Sequence, residues 1–110
     1  MEYISTRGKI GTINFIDAVL MGLADDGGLI VPKHIPQVSP DTLDTWKNLS
    51  YTELAFEVFS LYIDKEIPRD ELRKLVQDSY ATFRHDEVTP VRRMNNNLHI
   101  LELFHGPTFA

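Results

Sequence analysis

Leu49-Ser50-Tyr51-Thr52-Glu53-Leu54-Ala55-Phe56-Glu57-Val58-Phe59-Ser60-Leu61-Tyr62-Ile63 is the stretch on which the fold turns. Ser50 and Glu53 have the spacing of a capping box, in which each side chain satisfies a backbone N–H of the other's residue. Leu49 and Leu54 flank the box at the two positions of a hydrophobic staple. Together these signals predict a helix from Tyr51 to about Ile63. Its apolar residues, Leu54, Phe56, Val58, Phe59, Leu61 and Tyr62, cover more than one face, so this helix is expected at the centre of the domain.

Downstream, Pro68 opens a second helix with a stripe of Leu72, Leu75, Val76, Tyr80 and Phe83. Asp70 and Lys74 can pair at i, i+4 on its wet side, for a few tenths of a kcal/mol. After Arg84-His85-Asp86-Glu87 the apolar period changes. Val88 to Met94 and Leu98 to Leu103 are expected as two strands joined by Asn95-Asn96-Asn97, since asparagine tolerates the left-handed region that a short hairpin loop needs. Leu98, His99, Ile100 and Leu101 alternate only in part, which predicts cover on both faces. Phe104-His105-Gly106-Pro107-Thr108 then leaves as a constrained loop.

Upstream, Tyr3-Ile4-Ser5 is expected as a short strand leading to Thr6-Arg7-Gly8. Asn14 caps a helix with Asp17 in its first turn, and Phe15, Ala18, Val19, Gly22 and Leu23 recur on one inward face. Asp26-Gly27-Gly28 signals a turn. Leu29-Ile30-Val31 follows as a short buried strand ended by Pro32. Ser39 before Pro40 predicts a short helix to about Trp46. The fold class is therefore α+β, with three to four main helices packed on a small, mostly antiparallel sheet.

The chain has 110 residues, 43% of them apolar and 25% charged, and a net charge of −5. That length allows one core. The acidic balance argues against nucleic acid as a partner. With no cysteine, disulfide and thiolate chemistry are excluded. No apolar run approaches the roughly 18 residues of a membrane span. Met1-Glu2 begins without a basic region or an apolar signal core, so a cytoplasmic location is the expectation.

Chemistry-bearing residues are sparse. His34, His85, His99 and His105 have no second histidine or cysteine at i+3 or i+4, and no metal site is expected. Asp25/Asp26, Asp70/Glu71 and Asp86/Glu87 are sequence neighbours whose side chains diverge, so a solvated turn or helix start is expected rather than a shared-proton dyad. Two segments have ligand-binding chemistry. Ser5-Thr6-Arg7-Gly8 combines two hydroxyls and a guanidinium suited to a phosphate or carboxylate; the plainer alternative is that Arg7 pairs with a carboxylate and Gly8 makes a turn. His105-Gly106-Pro107-Thr108 could bring a backbone amide or the Thr108 hydroxyl to a substrate, or be simply a stiff turn. No complete catalytic set is present.

Tyr3-Ile4-Ser5-Thr6-Arg7-Gly8 and Gly22-Leu23-Ala24-Asp25-Asp26-Gly27-Gly28-Leu29-Ile30-Val31-Pro32 resemble the opening of the threonine synthase family. Leu49-Ser50-Tyr51, Phe83-Arg84-His85 and Pro90 extend the likeness. Leu101-Glu102-Leu103-Phe104-His105-Gly106-Pro107-Thr108-Phe109-Ala110 is its most specific stretch. The resemblance implies a pyridoxal-phosphate enzyme of the tryptophan-synthase-β fold type that converts O-phospho-L-homoserine and water into L-threonine and phosphate.

It also implies that residues 1–104 are the amino-terminal domain and residues 105–110 the start of the cofactor-binding domain. The family's cofactor lysine would fall two residues beyond Ala110, so none of Lys9, Lys33, Lys47, Lys65 and Lys74 inherits that role. Arg7, His105, Gly106 and Thr108 are expected near substrate or cofactor in the parent enzyme. The partners implied are the rest of the same chain and a phosphorylated amino acid; the 110 residues alone are expected to be inactive and to bind no cofactor. Asp25 stands where proline is expected and Phe109 where leucine is common. This leaves open a threonine-synthase-like phospho-lyase acting on another O-phosphorylated hydroxy-amino acid, or a non-catalytic binding or scaffold domain.

Overall fold

The computed structural model describes residues 1–107. Its elements run β1 (Tyr3–Ser5), α1 (Phe15–Met21), β2 (Ile30–Pro32), α2 (Pro40–Trp46), α3 (Tyr51–Ile63), α4 (Arg69–Tyr80), β3 (Val91–Arg93) and β4 (His99–Leu101). The class is α+β, with the strands divided between two separate antiparallel pairs. In one, Tyr3 faces Pro32 and Ser5 faces Ile30; in the other, Val91 faces Leu101 and Arg93 faces His99.

Local chemistry starts the helices. The Asn14 side chain accepts the Asp17 amide at 2.8 Å, and the Ser39 hydroxyl accepts the Thr42 amide at 3.1 Å ahead of Pro40. At α3 the box is complete: Ser50 Oγ accepts from the Glu53 amide at 3.3 Å, and Glu53 Oε2 accepts from the Ser50 amide at 2.8 Å. Ser50→Ala is expected to cost about 1 kcal/mol, read as a lower urea midpoint with unchanged slope. No shift in midpoint would show that packing alone holds this helix end.

Helix α4 has Pro68 at its cap and no side-chain cap, but Asp70 and Glu71 occupy its first turn, where the helix end favours a carboxylate. Lys74 pairs with Asp78 rather than with Asp70, which is left at that positive helix end.

Helices α3 and α4 form the core. Phe56, Ile63, Leu72 and Val76 are buried together, with Phe15, Ala55, Ile67 and Tyr80 packed against them. Helix α1 is fastened by Glu66, whose carboxylate oxygens accept the Phe15 and Ile16 amides at 3.0 and 3.1 Å. Strand β1 is tied to α3 by the Tyr3 hydroxyl, which donates to the Tyr62 carbonyl at 2.9 Å.

Several apolar residues expected inside lie outside. In α1, Phe15 and Ala18 face the core, but Val19 is 61% exposed and makes an outer stripe with Ile16 and Leu20. Leu23, expected on the inward face, lies past the helix end and is 63% exposed. The helix is apolar on both sides, and residues 1–107 cover only one. Leu29 is likewise exposed, bridging to the exposed Leu23, so β2 begins at Ile30 and is half-buried. Leu75 and Phe83 also depart from a clean buried stripe: Leu75 is exposed, and Phe83 lies past the helix end, its ring 5.0 Å from that of Tyr80. Strands β3 and β4 are shorter than expected and exposed on both faces; β3 starts late because Val88 (φ 60) and Pro90 interrupt the extended run before it.

The chain is correspondingly open. Its radius of gyration is 16.5 Å, against about 13 Å for a compact domain of this length. Its accessible surface is 8360 Å², about a third more than the roughly 6,200 Å² of a folded monomer of this mass. No helix among the described residues is long and apolar enough to cross a membrane.

Candidate functional site

Two clusters gather the chemistry. The first joins the end of β1 to the turn before β2. Asp26 is its hub: its carboxylate accepts the Ser5 hydroxyl at 2.7 Å, the Gly28 amide at 2.9 Å and the Lys9 amide at 3.0 Å. These contacts lower the Asp26 pKa below the usual carboxylate value, the Ser5 hydroxyl contributing most, followed by the two amides and the Arg7 charge. The buried Ser5 Oγ also accepts the Arg7 amide at 3.1 Å, and Thr6 Oγ1 accepts the Leu29 amide at 3.0 Å.

Both hydroxyls with ligand-binding chemistry thus make hydrogen bonds within the turn. Arg7 is exposed and donates from Nη1 to the Asp26 carbonyl at 2.9 Å, so it pairs with a backbone oxygen rather than a carboxylate. Gly27, at φ 76, lies under the guanidinium: a Cβ there would meet Arg7 Nη1 at 2.9 Å. Asp26 does more than the solvated turn residue expected of it.

The second cluster surrounds the loop after β4. His105 Nε2 and Glu102 Oε2 are 2.7 Å apart, and Arg92 Nε lies 3.5 Å from Glu102 Oε1. The Glu102 pKa is lowered, first by the hydrogen bond with His105 and then by the Arg92 charge. The His105 ring centroid is 4.5 Å from that of His85 and 4.7 Å from that of Phe104. Gly106 packs on Phe83: a Cβ at this glycine would lie 3.5 Å from Phe83 Cζ, an ordinary contact. His85 is held in turn by the Glu87 amide, which donates to its Nδ1 at 3.2 Å.

The structure therefore brings His105 and Gly106 together with Phe83 and His85 and places Arg7 in the other cluster. Among the described residues, no hydrogen bond or ion pair joins the two clusters. Thr108 lies outside the described residues, as do Phe109 and Ala110. No group of three or more His, Cys, Asp or Glu side chains among the described residues is arranged to hold a metal ion.

A model of the threonine synthase N terminus matches residues 2–80. The chain belongs to this family. Threonine synthase of Schizosaccharomyces pombe is 55% identical over 111 residues, spanning 100% of this chain and 22% of that protein. Threonine synthase-like 2 of Pongo abelii is 45% identical over 111 residues, spanning 100% of this chain and 23% of that protein. The crystal structure of PLP-bound threonine synthase from Brucella melitensis matches with a TM-score of 0.88 and 42% identity, over 97% of this chain and 23% of that one. The chain thus spans under a quarter of the length of these relatives.

Glu102 and Arg92 join the site in this threonine synthase family domain without having been expected there. The i, i+3 spacing of Glu102 and His105 is the only sequence signal for the pair. Metal-ligand spacing does not reveal it, because one carboxylate beside one imidazole is no metal site.

Proposed function

We propose that the chain is the amino-terminal part of a threonine synthase that converts O-phospho-L-homoserine and water into L-threonine and phosphate. The observation that carries this reading is 55% identity to a threonine synthase along the whole chain. The surplus of exposed surface supports the accompanying claim that the rest of a longer chain is its partner. In this reading residues 1–104 form the amino-terminal domain and residues 105–110 enter the cofactor-binding domain. Arg7, His105, Gly106 and Thr108 line the ligand side, in a cytoplasmic enzyme.

Pyridoxal phosphate, when bound in such an enzyme, serves as an electron sink. The described residues do not by themselves fit it: no lysine occurs in residues 99–107, and Lys33, Lys47 and Lys74 are committed to ion pairs with Glu2, Asp44 and Asp78. In this reading the 110 residues supply one wall of the site and have no activity of their own.

The test supplies pyridoxal phosphate and O-phospho-L-homoserine to the chain alone and to the longer protein that carries it. Threonine and phosphate are expected only from the longer protein. Turnover by the 110 residues above the cofactor-only rate would overturn the inactivity. A longer protein that ignores O-phospho-L-homoserine but releases phosphate from another phosphorylated hydroxy-amino acid would establish the second reading, a phospho-lyase. The 45% identity to threonine synthase-like 2 favours including that arm. Release from neither substrate would overturn both and favour a binding or scaffold role.

A further inference from the structure

The second cluster is more ordered than a surface ion pair needs to be. The side chains of Glu102 and His105 are only 17% and 20% exposed. Two oxygens of one carboxylate are engaged on opposite partners, Oε2 with His105 and Oε1 with Arg92. The backbone of Glu102 is pinned as well, its amide donating to the Pro90 carbonyl at 3.0 Å. The imidazole is held at its edge by the carboxylate and lies against the rings of His85 and Phe104, each tilted at 41° to it. Exposed pairs that contribute little to stability lack such restraint.

We propose that Glu102 is a positioning residue: it holds the His105 imidazole in one orientation and one tautomer for the ligand site to which the loop of residues 104–107 belongs. This rests on the threonine synthase reading above. An ionised carboxylate can only accept, so the 2.7 Å contact requires the proton of a neutral imidazole to sit on Nε2. Nδ1 is then left as an acceptor, able to take a hydrogen bond or a proton from a ligand. The Arg92 charge favours the ionised form of Glu102 as well, second to the hydrogen bond with His105. His85 is set by the same logic: its Nδ1 accepts from the Glu87 amide, which places its own proton on Nε2 when the ring is neutral.

The test uses the longer enzyme, loaded with cofactor, with its histidines labelled with nitrogen-15. At a pH where His105 is neutral, its ring nitrogens are expected to report the Nε2-protonated tautomer alone. Glu102→Ala should give a mixture of tautomers. It should also lower kcat by about tenfold to a hundredfold, taking the loss known for the orienting partners of metal-bound imidazoles as the guide, with KM moving by less than about threefold. Glu102→Gln, whose amide oxygen can still accept from Nε2, should recover the single tautomer and part of kcat. The tautomer of the unsubstituted enzyme needs no variant to fold.

A mixed or Nδ1-protonated His105 in the unsubstituted enzyme would overturn the proposal. So would an unchanged kcat in Glu102→Ala, or a loss that Glu102→Gln does not relieve. If the longer protein has no threonine synthase or phospho-lyase activity at all, the reading on which the role depends fails with it. Activity that is present but indifferent to Glu102 defeats this role alone.

Discussion

Phe56→Ala is expected to lower the unfolding free energy by about 3–5 kcal/mol, the range for emptying a large aromatic from a core. Phe56 is 1% exposed at the contact of α3 with α4, among Ile63, Leu72 and Val76. Its ring also carries two cations, the guanidinium carbons of Arg73 and Arg69 lying 4.0 and 4.8 Å from the centroid. Each such contact adds about 0.5–1 kcal/mol at an exposed site.

The loss falls on a domain whose total stability is on the order of 5–15 kcal/mol. This core is small for the surface it supports, so Phe56→Ala is expected to leave a large unfolded fraction at 37 °C. Phe56→Leu, which keeps most of the apolar volume, should cost about 1.5 kcal/mol or less. Arg73→Ala should cost no more than about 1 kcal/mol, which separates the cation contribution from the volume contribution. Urea midpoints for the three variants check the order. A Phe56→Ala midpoint within error of Phe56→Leu would mean that the α3–α4 contact is not the stability-determining core.

The signals that make the helix starts legible in the sequence are local ones. Ser50, Ser39 and Asn14 act on amides three residues away, so a helix start can be read from a few positions. The Asn95–Asn97 turn is legible in its place but not in its mechanism: none of its asparagines enters the left-handed region, and the Asn95 side chain instead accepts the Asn97 and Leu98 amides at 3.1 Å. What is not legible depends on partners remote in sequence. Glu66 caps α1 from some fifty residues away, and nothing near it marks that role. Val19, Leu23 and Leu29 are apolar in a pattern that says they should be covered, but the pattern does not say by what. Within residues 1–107 they stay exposed.

The candidate site shows the same division. His105 and Gly106 stand out as a pair because they adjoin in one motif. Their association with His85 and Phe83 needs the chain to return from β4 onto the end of α4. Arg7 stands out for its charge, but its hydrogen bond goes to the Asp26 carbonyl, an acceptor that no side-chain pattern reveals. Ser5 and Asp26, taken singly, are a strand hydroxyl and a turn carboxylate. Their pairing follows from the β1–β2 register, which brings Ser5 opposite Ile30 and so beside the turn.

That pairing underlies the second large expected effect. Gly28→Ala should destabilise the domain by about 2–3 kcal/mol, at the upper end of overpacking costs. An alanine Cβ at this position would fall 2.2 Å from Ser5 Oγ, 3.0 Å from the Arg7 amide nitrogen and 3.0 Å from Asp26 Oδ1. The hydroxyl cannot move aside without breaking its bonds to Asp26 and Arg7, and Ser5 is buried, so water cannot replace them freely.

Ser5→Ala removes the atom in the tightest contact. The double substitution should therefore be less destabilised than the sum of the two single ones, a coupling expected only for residues in direct contact. Strict additivity would show that the clash is relieved by backbone movement instead.

A pH signature accompanies the coupling. Asp26 titrates below its ordinary value in the folded chain because Ser5 and the two amides hold the charged form. Its contribution is present above the ordinary carboxylate pKa of about 3.9, and is lost as the pH falls through the lowered folded value. Ser5→Ala and Gly28→Ala should each flatten the fall in stability across that acid window, while leaving the slope above about pH 5 unchanged. An acid slope that both variants share with the unsubstituted chain would assign it to other carboxylates. Glu2, Glu53 and Glu102 are the candidates, each held below its ordinary value by a hydrogen-bond partner: Lys33, Ser50 and His105.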